Sequence, residues 1–286
     1  MVGGTMEFVD AHVHYWNLSE HEDWYPGLQR FFPEVYSDYL PDDHRADAAK
    51  AGVDVTEAVH VSASSAPRAY LAETAWLDGL HRADPARPAA IIGGLDPRRS
   101  PDTVEADLDA QAASPAFRGV RMLSGVDPAA ETTASALRLL AGRGLVFDQI
   151  IRPAEAAAFV PALSAVPGLA VVAEHTGWPE RDEPFAEWRD GMARLAALPN
   201  VHCKISGLGM ALRTTSVADL RPYVEGCLDL FGVDRCFFAS NFPVDGVGGT
   251  YADLLTAYQE ITASLTGPER RALFSGNARR RYRLAG

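Results

Sequence analysis

A (β/α)8 barrel, the TIM-barrel form of the α/β class, is the fold that this sequence of 286 residues predicts. Eight short runs of apolar, β-branched or aromatic residues recur along the chain, and Ala- and Leu-rich amphipathic stretches separate them. The runs begin 24 to 49 residues apart, and the length is close to the roughly 250 residues of such a barrel. A doubly wound open sheet is the alternative, but no Gly-x-Gly-x-x-Gly follows the first run.

We interpret the eight runs as strands. In chain order they are Glu7–Val13, Thr56–Ser62, Ala89–Gly94, Phe117–Met122, Leu145–Ile150, Leu169–His175, Val201–Ser206 and Arg235–Ser240. The amphipathic stretches between them that we interpret as helices include Tyr70–Ala83, Thr103–Ala113, Thr132–Ala141 and Ala186–Leu198. The uncharged stretch 156–173 has the length of a membrane span, but Pro161 and the pair Pro167-Gly168 divide it into a helix and a strand.

A single domain, residues 1–286, accounts for the chain, since no linker or change of composition divides it. The longest connection, residues 15–41, follows the first strand and is rich in aromatic residues. In a barrel this loop lies over the carboxyl-terminal mouth, where substrates bind. We therefore expect Trp16 and Tyr25 to contact a substrate. A lobe that only packs is the alternative interpretation.

Charge and cysteine content exclude several classes of protein. The chain has 26 basic and 38 acidic residues, and its formal charge of −12 disfavours nucleic-acid binding. Three scattered cysteines (Cys203, Cys227 and Cys236) are too few for a disulfide framework, so we expect buried, reduced thiols. The amino terminus lacks the pattern of a signal peptide. We expect a cytoplasmic protein without membrane contact that acts on a small molecule; a homo-oligomer is left open.

The first strand carries a candidate metal pair. Side chains alternate along a strand, so Asp10, His12 and His14 are expected on one face, which in a barrel is the lumen. Two imidazoles at this spacing can converge on one metal ion. Alone, such a pair is also compatible with satisfied core histidines.

Polar residues at the other predicted strand ends strengthen the case for a site. They are His60, Ser62, Arg121, Asp148, Gln149, His175, Lys204, Ser206 and Asn241. A charged group inside a barrel is costly unless it is paired, bound to a metal or solvated at a working site. Because these strands bring polar groups to the same end, we predict a catalytic site there.

Six motifs, in this order, resemble the amidohydrolase superfamily and specifically its "amidohydrolase 2" branch of metal-dependent TIM-barrel hydrolases. They are Asp10-Ala-His-Val-His14, Phe117-Arg-Gly-Val-Arg121, Phe147-Asp148, Glu174-His-Thr-Gly-Trp-Pro179, Lys204-Ile-Ser-Gly-Leu208 and Ser240-Asn-Phe-Pro-Val-Asp245. The resemblance extends from about Phe8 to Tyr282. The branch includes lactonases acting on sugar lactones, sulfomuconolactone and pyrone dicarboxylate.

The resemblance implies that His12, His14 and His175 form the core of the site. In metal-using members these positions hold one divalent ion, zinc or a similar metal, and in some lactonases they polarise the lactone carbonyl without a metal. The superfamily places a water-activating aspartate just after the eighth strand, where this chain has Asn241. An amide cannot take the proton of the water.

Three interpretations of Asn241 remain open at the level of sequence. Three histidines alone can hold a catalytic zinc, which acidifies water itself. Alternatively, the histidines act without a metal and Asp245, Asp148 or Glu174 is the base. Glu174 ranks below the aspartates because alternation turns it away from His175. In the third interpretation the chemistry is lost and a ligand-binding barrel remains.

We therefore predict a hydrolase that opens a lactone, or a related cyclic ester or amide, of a small anionic substrate. Arg121 and Lys204 are expected to stabilise a carboxylate or an oxyanion, the alternative being an ion pair with Asp148. Asn241 and Asp245 are assigned to the catalytic group. The residues expected to bind substrate are Trp16, Tyr25, His60, Asp148 and Trp178. A non-oxidative decarboxylase of an aromatic or unsaturated acid is the alternative reaction.

Overall fold

The structure is a computed structural model that describes residues 5–123 and 126–285, and it shows the predicted barrel. Its eight strands are β1 (Glu7–Val13), β2 (Asp54–Val61), β3 (Ala90–Gly94), β4 (Phe117–Arg121), β5 (Val146–Gln149), β6 (Ala170–Ala173), β7 (Val201–Ile205) and β8 (Cys236–Phe238). Each strand pairs in parallel with the next. Residues just beyond β8 close the barrel, because Asn241 N donates to His12 O at 2.8 Å and His14 N donates to Phe242 O at 2.8 Å.

Helices surround the strands, as the amphipathic stretches predict. They are α1 (Leu18–His21), α2 (Pro26–Phe31), α3 (Pro41–Ala51), α4 (Ala69–Ala83), α5 (Pro101–Ala112), α6 (Glu131–Gly142), α7 (Ala156–Ser164), α8 (Phe185–Ala196), α9 (Leu208–Leu212), α10 (Val217–Phe231), α11 (Tyr251–Ile261), α12 (Gly267–Arg271) and α13 (Asn277–Tyr282). The four helices whose bounds the sequence predicts begin and end within two residues of those predictions. The stretch 156–173 forms α7 and β6, and no helix in the described residues is long and apolar enough to cross a membrane.

The apolar core has two parts. One fills the space between the strands and the surrounding helices. The other consists of inward-facing strand residues such as Val9, Val61 and Phe237, together with Tyr282 of α13. The last helix therefore inserts a tyrosine into the barrel, a packing that the sequence pattern does not reveal. Cys203, Cys227 and Cys236 are buried and free, as predicted.

Residues 15–41, predicted as a loop, form a packed lobe with the short helices α1 and α2. Its two ends are joined by a bridge in which Trp16 N donates to Tyr39 O at 2.9 Å and Tyr39 N donates to Trp16 O at 3.0 Å. Trp16 and Tyr25 are fully buried. The lobe is therefore held in place by its own aromatic packing.

Candidate active site

A cavity of about 720 Å³ lies at the carboxyl ends of the strands. Such a volume is in the range of small-molecule sites, and this end of the barrel is where the active sites of TIM-barrel enzymes are found. The innermost lining side chains are polar and at most 6% exposed: His14, Arg121, His175 and Asn241. They come from β1, β4, β6 and β8 or from the residues directly after them. The cavity floor, the name used below, consists of these four residues together with His12, whose fully buried ring contacts the rings of His14 and His175.

The pairing of β1 with β2 determines which residues of β1 face this floor. Asp10 is opposite Ala58 and Val13 is opposite His60, so β1 contains one extra residue between these pairs. Such a bulge breaks the alternation of side chains. The prediction that Asp10 shares a face with the two histidines is therefore wrong. Its Oδ2 faces the helix layer, 3.0 Å from His44 Nε2 and 3.0 Å from Tyr251 OH.

Hydrogen bonds fix two of the three histidine rings. His14 Nδ1 donates to the carbonyl oxygen of Val61 at 2.7 Å, which leaves its Nε2 for the floor. His175 Nδ1 lies 3.0 Å from Ser206 Oγ, so its Nε2 is likewise the free ring nitrogen. Gly207 makes this placement possible, because a Cβ there would lie 2.6 Å from the His175 ring.

The environment of His12, His14 and His175 favours the neutral form of each ring. Burial lowers the pKa of each well below its usual value. Positive charge nearby acts in the same direction on each pKa: Lys204 on His12, and Arg121 on His14 and His175. Neutral imidazoles present lone pairs, which is the form that binds metals or accepts protons.

Glu174 lies beside the histidines, and the prediction that it turns away from His175 is wrong. Strand β6 ends at Ala173, and His175 adopts the left-handed backbone conformation (φ 55°), so alternation no longer applies. Glu174 Oε2 lies 3.7 Å from His175 Nε2 and 3.0 Å from Arg121 Nε, and Oε1 lies 4.0 Å from His12 Nδ1. Burial raises the pKa of this carboxyl to about 8, against the opposing charge of Arg121.

Asn241 presents an acceptor to the floor. Its Nδ2 donates to Asp245 Oδ1 at 2.7 Å, so its Oδ1 is the atom 3.2 Å from His14 Nε2. Asp245 also accepts from the backbone N–H groups of Gly209 (3.0 Å) and Met210 (3.2 Å). Burial raises the pKa of Asp245 to about 7. Asp245 is thus behind Asn241 and outside the cavity lining.

Arg121 and Lys204 occupy different depths. Arg121 lines the cavity and is paired with Glu174. Lys204 is fully buried below His12: its Nζ donates to Asp148 Oδ2 at 2.7 Å and lies 3.4 Å from His12 Nδ1. Tyr282 OH donates to the same Asp148 oxygen at 2.5 Å. The prediction that Lys204 and Asp148 contact the substrate is wrong, because both side chains lie beneath the cavity and pair with each other.

The donors on the floor and the adjacent Glu174 fit a divalent metal ion. His12, Glu174 and His175 each offer a ligand atom, and these atoms lie within 4.8 Å of one another. His12 Nε2 and His14 Nε2 are 3.2 Å apart, close to the roughly 3.3 Å between two nitrogens that each lie about 2.0 Å from a tetrahedral zinc. In addition, the lone pairs of His14 Nε2 and Asn241 Oδ1 face each other at 3.2 Å, and a cation would satisfy both.

The same nitrogens also form a chain that needs no metal. The ammonium of Lys204 is a donor, so His12 Nδ1 accepts and the ring proton of His12 is on Nε2. From there it is donated to His14 Nε2 at 3.2 Å. A metal that binds His12 Nε2 must displace this proton, so metal binding is coupled to pH.

The other predicted substrate contacts divide into two groups. Trp16 and Trp178 line the cavity, with Trp16 stacked on the His14 ring at 5.6 Å. His60 faces the helix layer instead: its Nδ1 accepts from Tyr15 N at 3.0 Å and its Nε2 lies 3.8 Å from Glu73. Tyr25 is buried under Trp16. The prediction that His60 and Tyr25 contact the substrate is wrong, since neither side chain reaches the cavity.

Several cavity residues were not among the sequence predictions. Leu28, Phe31 and Phe32 lie in or directly after α2 of the lobe. The high aromatic content of this segment is the sequence feature that could have identified them. Leu123 and Val126, which follow β4, also line the cavity. Nothing in the local sequence distinguishes these two from ordinary loop residues.

Comparison with known proteins gives consistent results. A family model described as "Amidohydrolase" matches residues 9–284. The uncharacterized protein y4mH of Sinorhizobium fredii is 34% identical over 300 residues, covering 96% of this chain and 98% of that protein. L-fucono-1,5-lactonase of Burkholderia ambifaria is 30% identical over 290 residues, covering 96% of this chain and 95% of that enzyme.

A solved structure shows the same fold at similar coverage. The crystal structure of an amidohydrolase from Burkholderia multivorans with bound zinc has a TM-score of 0.82 and 26% sequence identity. The match covers 97% of this chain and 99% of that chain. The resemblance that the six motifs indicate is confirmed.

Proposed function

Because the chain belongs to the amidohydrolase family and is a hydrolase of that superfamily, we propose that it opens a lactone ring by adding water on the cavity floor. The observation that carries the proposal is the convergence of His14, His175 and Arg121 at the inner end of one cavity, with the buried side chains of His12 and Glu174 in contact with them. The relative named L-fucono-1,5-lactonase, which aligns over nearly the full length of both chains, supports this reaction.

The proposed metal ligands are His12, His14 and His175, with Glu174 and Asn241 beside them. When bound, a divalent ion supplies Lewis acidity that polarises a carbonyl and acidifies water. We propose zinc because imidazole nitrogens suit it and because the Burkholderia multivorans structure contains it. In the absence of an ion, the His12 and His14 rings remain connected by their own hydrogen bond.

Arg121 is the cation assigned to the substrate. Hydrolysis of a lactone passes through a tetrahedral oxyanion and ends in a carboxylate, so negative charge develops on the substrate. Arg121 lines the cavity and its guanidinium carries N–H groups in a fixed fork, a geometry suited to carboxylates. It stabilises the developing charge from a largely water-free position.

Glu174 is the carboxyl group assigned to accept the proton of the attacking water; since burial raises its pKa to about 8, it does so in the ionised form, which Arg121 stabilises at 3.0 Å. Its oxygens lie 4.0 Å from His12 Nδ1 and 3.7 Å from His175 Nε2. The other two candidates from the sequence already accept hydrogen bonds within the protein. Asp148 accepts from Lys204 and Tyr282. Asp245 accepts from Asn241 and from two backbone N–H groups. Asp245 is therefore assigned the role of holding Asn241.

Lys204 and Asp148 position the floor from below. The ammonium of Lys204 fixes the tautomer of His12, and Asp148 with Tyr282 holds the ammonium in place. Lys204 therefore sets the orientation of the His12 ring without touching the substrate.

The test is proton release in a pH-stat from a panel of lactones: L-fucono-1,5-lactone, alkyl δ-lactones, muconolactones and pyrone carboxylates. We expect turnover of at least one class above the enzyme-free rate, with and without added zinc. A chain that releases no protons from the panel but evolves carbon dioxide from aromatic acids would be a decarboxylase, and the proposal would be wrong.

A further inference from the structure

The outer half of the cavity, the name used below for the lining residues other than the floor, differs from the floor in chemistry, and two of its apolar side chains are exposed. Leu28, Phe31 and Phe32 of the lobe, Leu123 after β4 and Phe159 of α7 contribute apolar surface there. In the described residues, three large apolar side chains are exposed: Phe31 (62%), Leu123 (43%) and Phe185 (39%). Two of these three line this one cavity. Exposed apolar groups that cluster at a cavity mark a surface that binds something apolar.

The polar side chains that line the outer half already have partners within the protein. Gln149 bonds the backbone of Met122 with both ends of its amide, at 3.0 and 3.1 Å. Trp16 Nε1 donates to Ser37 O at 2.7 Å. These groups are therefore not available for the hydroxyl groups of a substrate.

The other polar side chains that line the mouth in the described part of the chain are Ser65, Arg152 and Glu155, and each has a partner within the protein. Glu155 Oε2 accepts from Arg152 N at 3.0 Å. Ser65 Oγ accepts from Gly27 N at 2.8 Å. Arg152 is paired with Glu180, and its guanidinium lies over the Trp178 ring at 5.2 Å. The mouth therefore offers few free partners to a substrate hydroxyl, and a hydroxyl that is buried there without a partner costs about 1–3 kcal/mol.

We propose that the outer half of the cavity binds an apolar substituent of the lactone, an alkyl chain or an aryl group, while the floor binds the ring ester. This inference rests on the proposed lactone hydrolysis and adds the substrate class: lactones with a hydrophobic substituent are preferred over polyhydroxylated sugar lactones. The cavity volume of about 720 Å³ accommodates a ring with such a substituent.

The experiment compares kcat/KM for δ-lactones that carry a methyl, propyl or pentyl group on the ring carbon next to the ring oxygen, with L-fucono-1,5-lactone as the hydroxylated reference. Burial of one methylene corresponds to up to about fourfold in kcat/KM. We expect kcat/KM to rise at least about tenfold from methyl to pentyl, and the pentyl lactone to exceed the hydroxylated reference.

Two variants of exposed phenylalanines form a matched pair. Phe31→Ser removes apolar surface at the mouth and should reduce the methyl-to-pentyl gain at least about threefold. Phe185→Ser removes an equally large exposed side chain from α8, where it packs on Trp188 at 5.1 Å, and should leave the gain unchanged. Leu123→Ser, which alters the mouth from the β4 side, should reproduce the effect of Phe31→Ser.

The outcomes are distinguishable. If lactones are hydrolysed but the chain-length gain is absent, or the hydroxylated reference is preferred, the apolar substituent is wrong and lactone hydrolysis stands. If no lactone is hydrolysed, both proposals fall. If Phe31→Ser converts a dimer to a monomer in sedimentation while the gain persists, the apolar mouth is an interface between copies of the chain and this inference is overturned.

Discussion

Exchange of the amide and the carboxylate of Asn241 and Asp245 should tighten metal binding. Asn241→Asp alone puts two carboxylate oxygens where Asn241 Nδ2 and Asp245 Oδ1 now lie 2.7 Å apart. Such a pair retains one proton, so part of the new charge is lost. In the double variant Asn241→Asp with Asp245→Asn, the amide donates to the new carboxylate. The full negative charge then lies beside His14 Nε2, and the net charge of the protein is unchanged.

The size of the effect follows from the position of the atom exchanged. Asn241 Oδ1 is 3.2 Å from His14 Nε2, close enough for both to contact one ion. A unit charge pair at about 4 Å gains about 4 kcal/mol at an effective dielectric constant of 20. Burial of the carboxylate offsets much of this gain. In the wild type, Met210 N donates to Asp245 Oδ1 at 3.2 Å. In the double variant the amide N–H introduced by Asp245→Asn would point at this N–H donor, which also reduces the gain. We expect zinc to bind at least about tenfold more tightly, or about 1.4 kcal/mol.

The assay is calorimetric titration of the metal-free proteins with zinc in two buffers of different ionisation enthalpy. The wild type should release a proton on binding, because the metal displaces the Nε2 proton of His12. Asp245→Asn alone, which removes the acceptor of Asn241 without adding charge to the floor, is the control and should bind zinc no more tightly than the wild type. Equal or weaker zinc binding by the double variant would refute the placement of Asn241 among the metal donors.

Three further predictions concern the charges around the barrel interior. Arg121→Leu should lower kcat/KM for a lactone substrate about 10²-fold or more, because it removes the cation from the developing oxyanion; a change in KM alone, measured by steady-state kinetics, would contradict that role. Lys204→Met should lower the free energy of unfolding by about 3–5 kcal/mol, since it leaves Asp148 buried without its counter-ion; urea titration that detects no loss would contradict this. Arg279→Ala should destabilise the protein at pH 7, and this difference should shrink as the pH falls below 4.5. The reason is that the hydrogen bond and charge of Arg279 hold the pKa of Glu7 below 4.5, so the stabilisation is present above that value and is lost as Glu7 protonates. Urea titrations at pH 3 and pH 7 would check this, and a constant difference would contradict it.

The strands and the main helices could be predicted from the sequence because their apolar periodicity is local. The side-chain direction on β1 could not, since the bulge between Asp10 and Val13 arises from its register with β2. Local alternation placed Asp10 in the lumen, whereas its partners are His44 and Tyr251, which lie far away in the chain.

The polar floor was predictable to the extent that strand ends meet in a barrel. His12, His14, Arg121, His175 and Asn241 all lie there, and the order of the motifs was sufficient to identify them. The place of Glu174 was not predictable, because the strand ends one residue earlier and the backbone turns left-handed at the next.

The depth at which a side chain lies inside the barrel could not be predicted from the sequence either. Lys204 and Arg121 are both cations at strand ends, but Tyr282 enters the barrel from the last helix and, with Asp148, holds Lys204 below the histidines. The residues Tyr282 and Asp148 are 134 positions apart, so no local pattern connects them.

We assign the chemistry to the face of the barrel that carries His14, and not to the helix layer behind it. The rings of His14 and His60 are only 6.3 Å apart, yet His14 lines the cavity and His60 packs against Tyr15 and Glu73. Measurement of kcat and melting temperature for His14→Ala and His60→Ala on the best lactone tests this directly. We expect His14→Ala to lose at least about 10²-fold in kcat while its melting temperature is nearly unchanged, and His60→Ala to melt earlier with kcat near that of the wild type. An active His14→Ala, or a stable His60→Ala that has lost its activity, would contradict it.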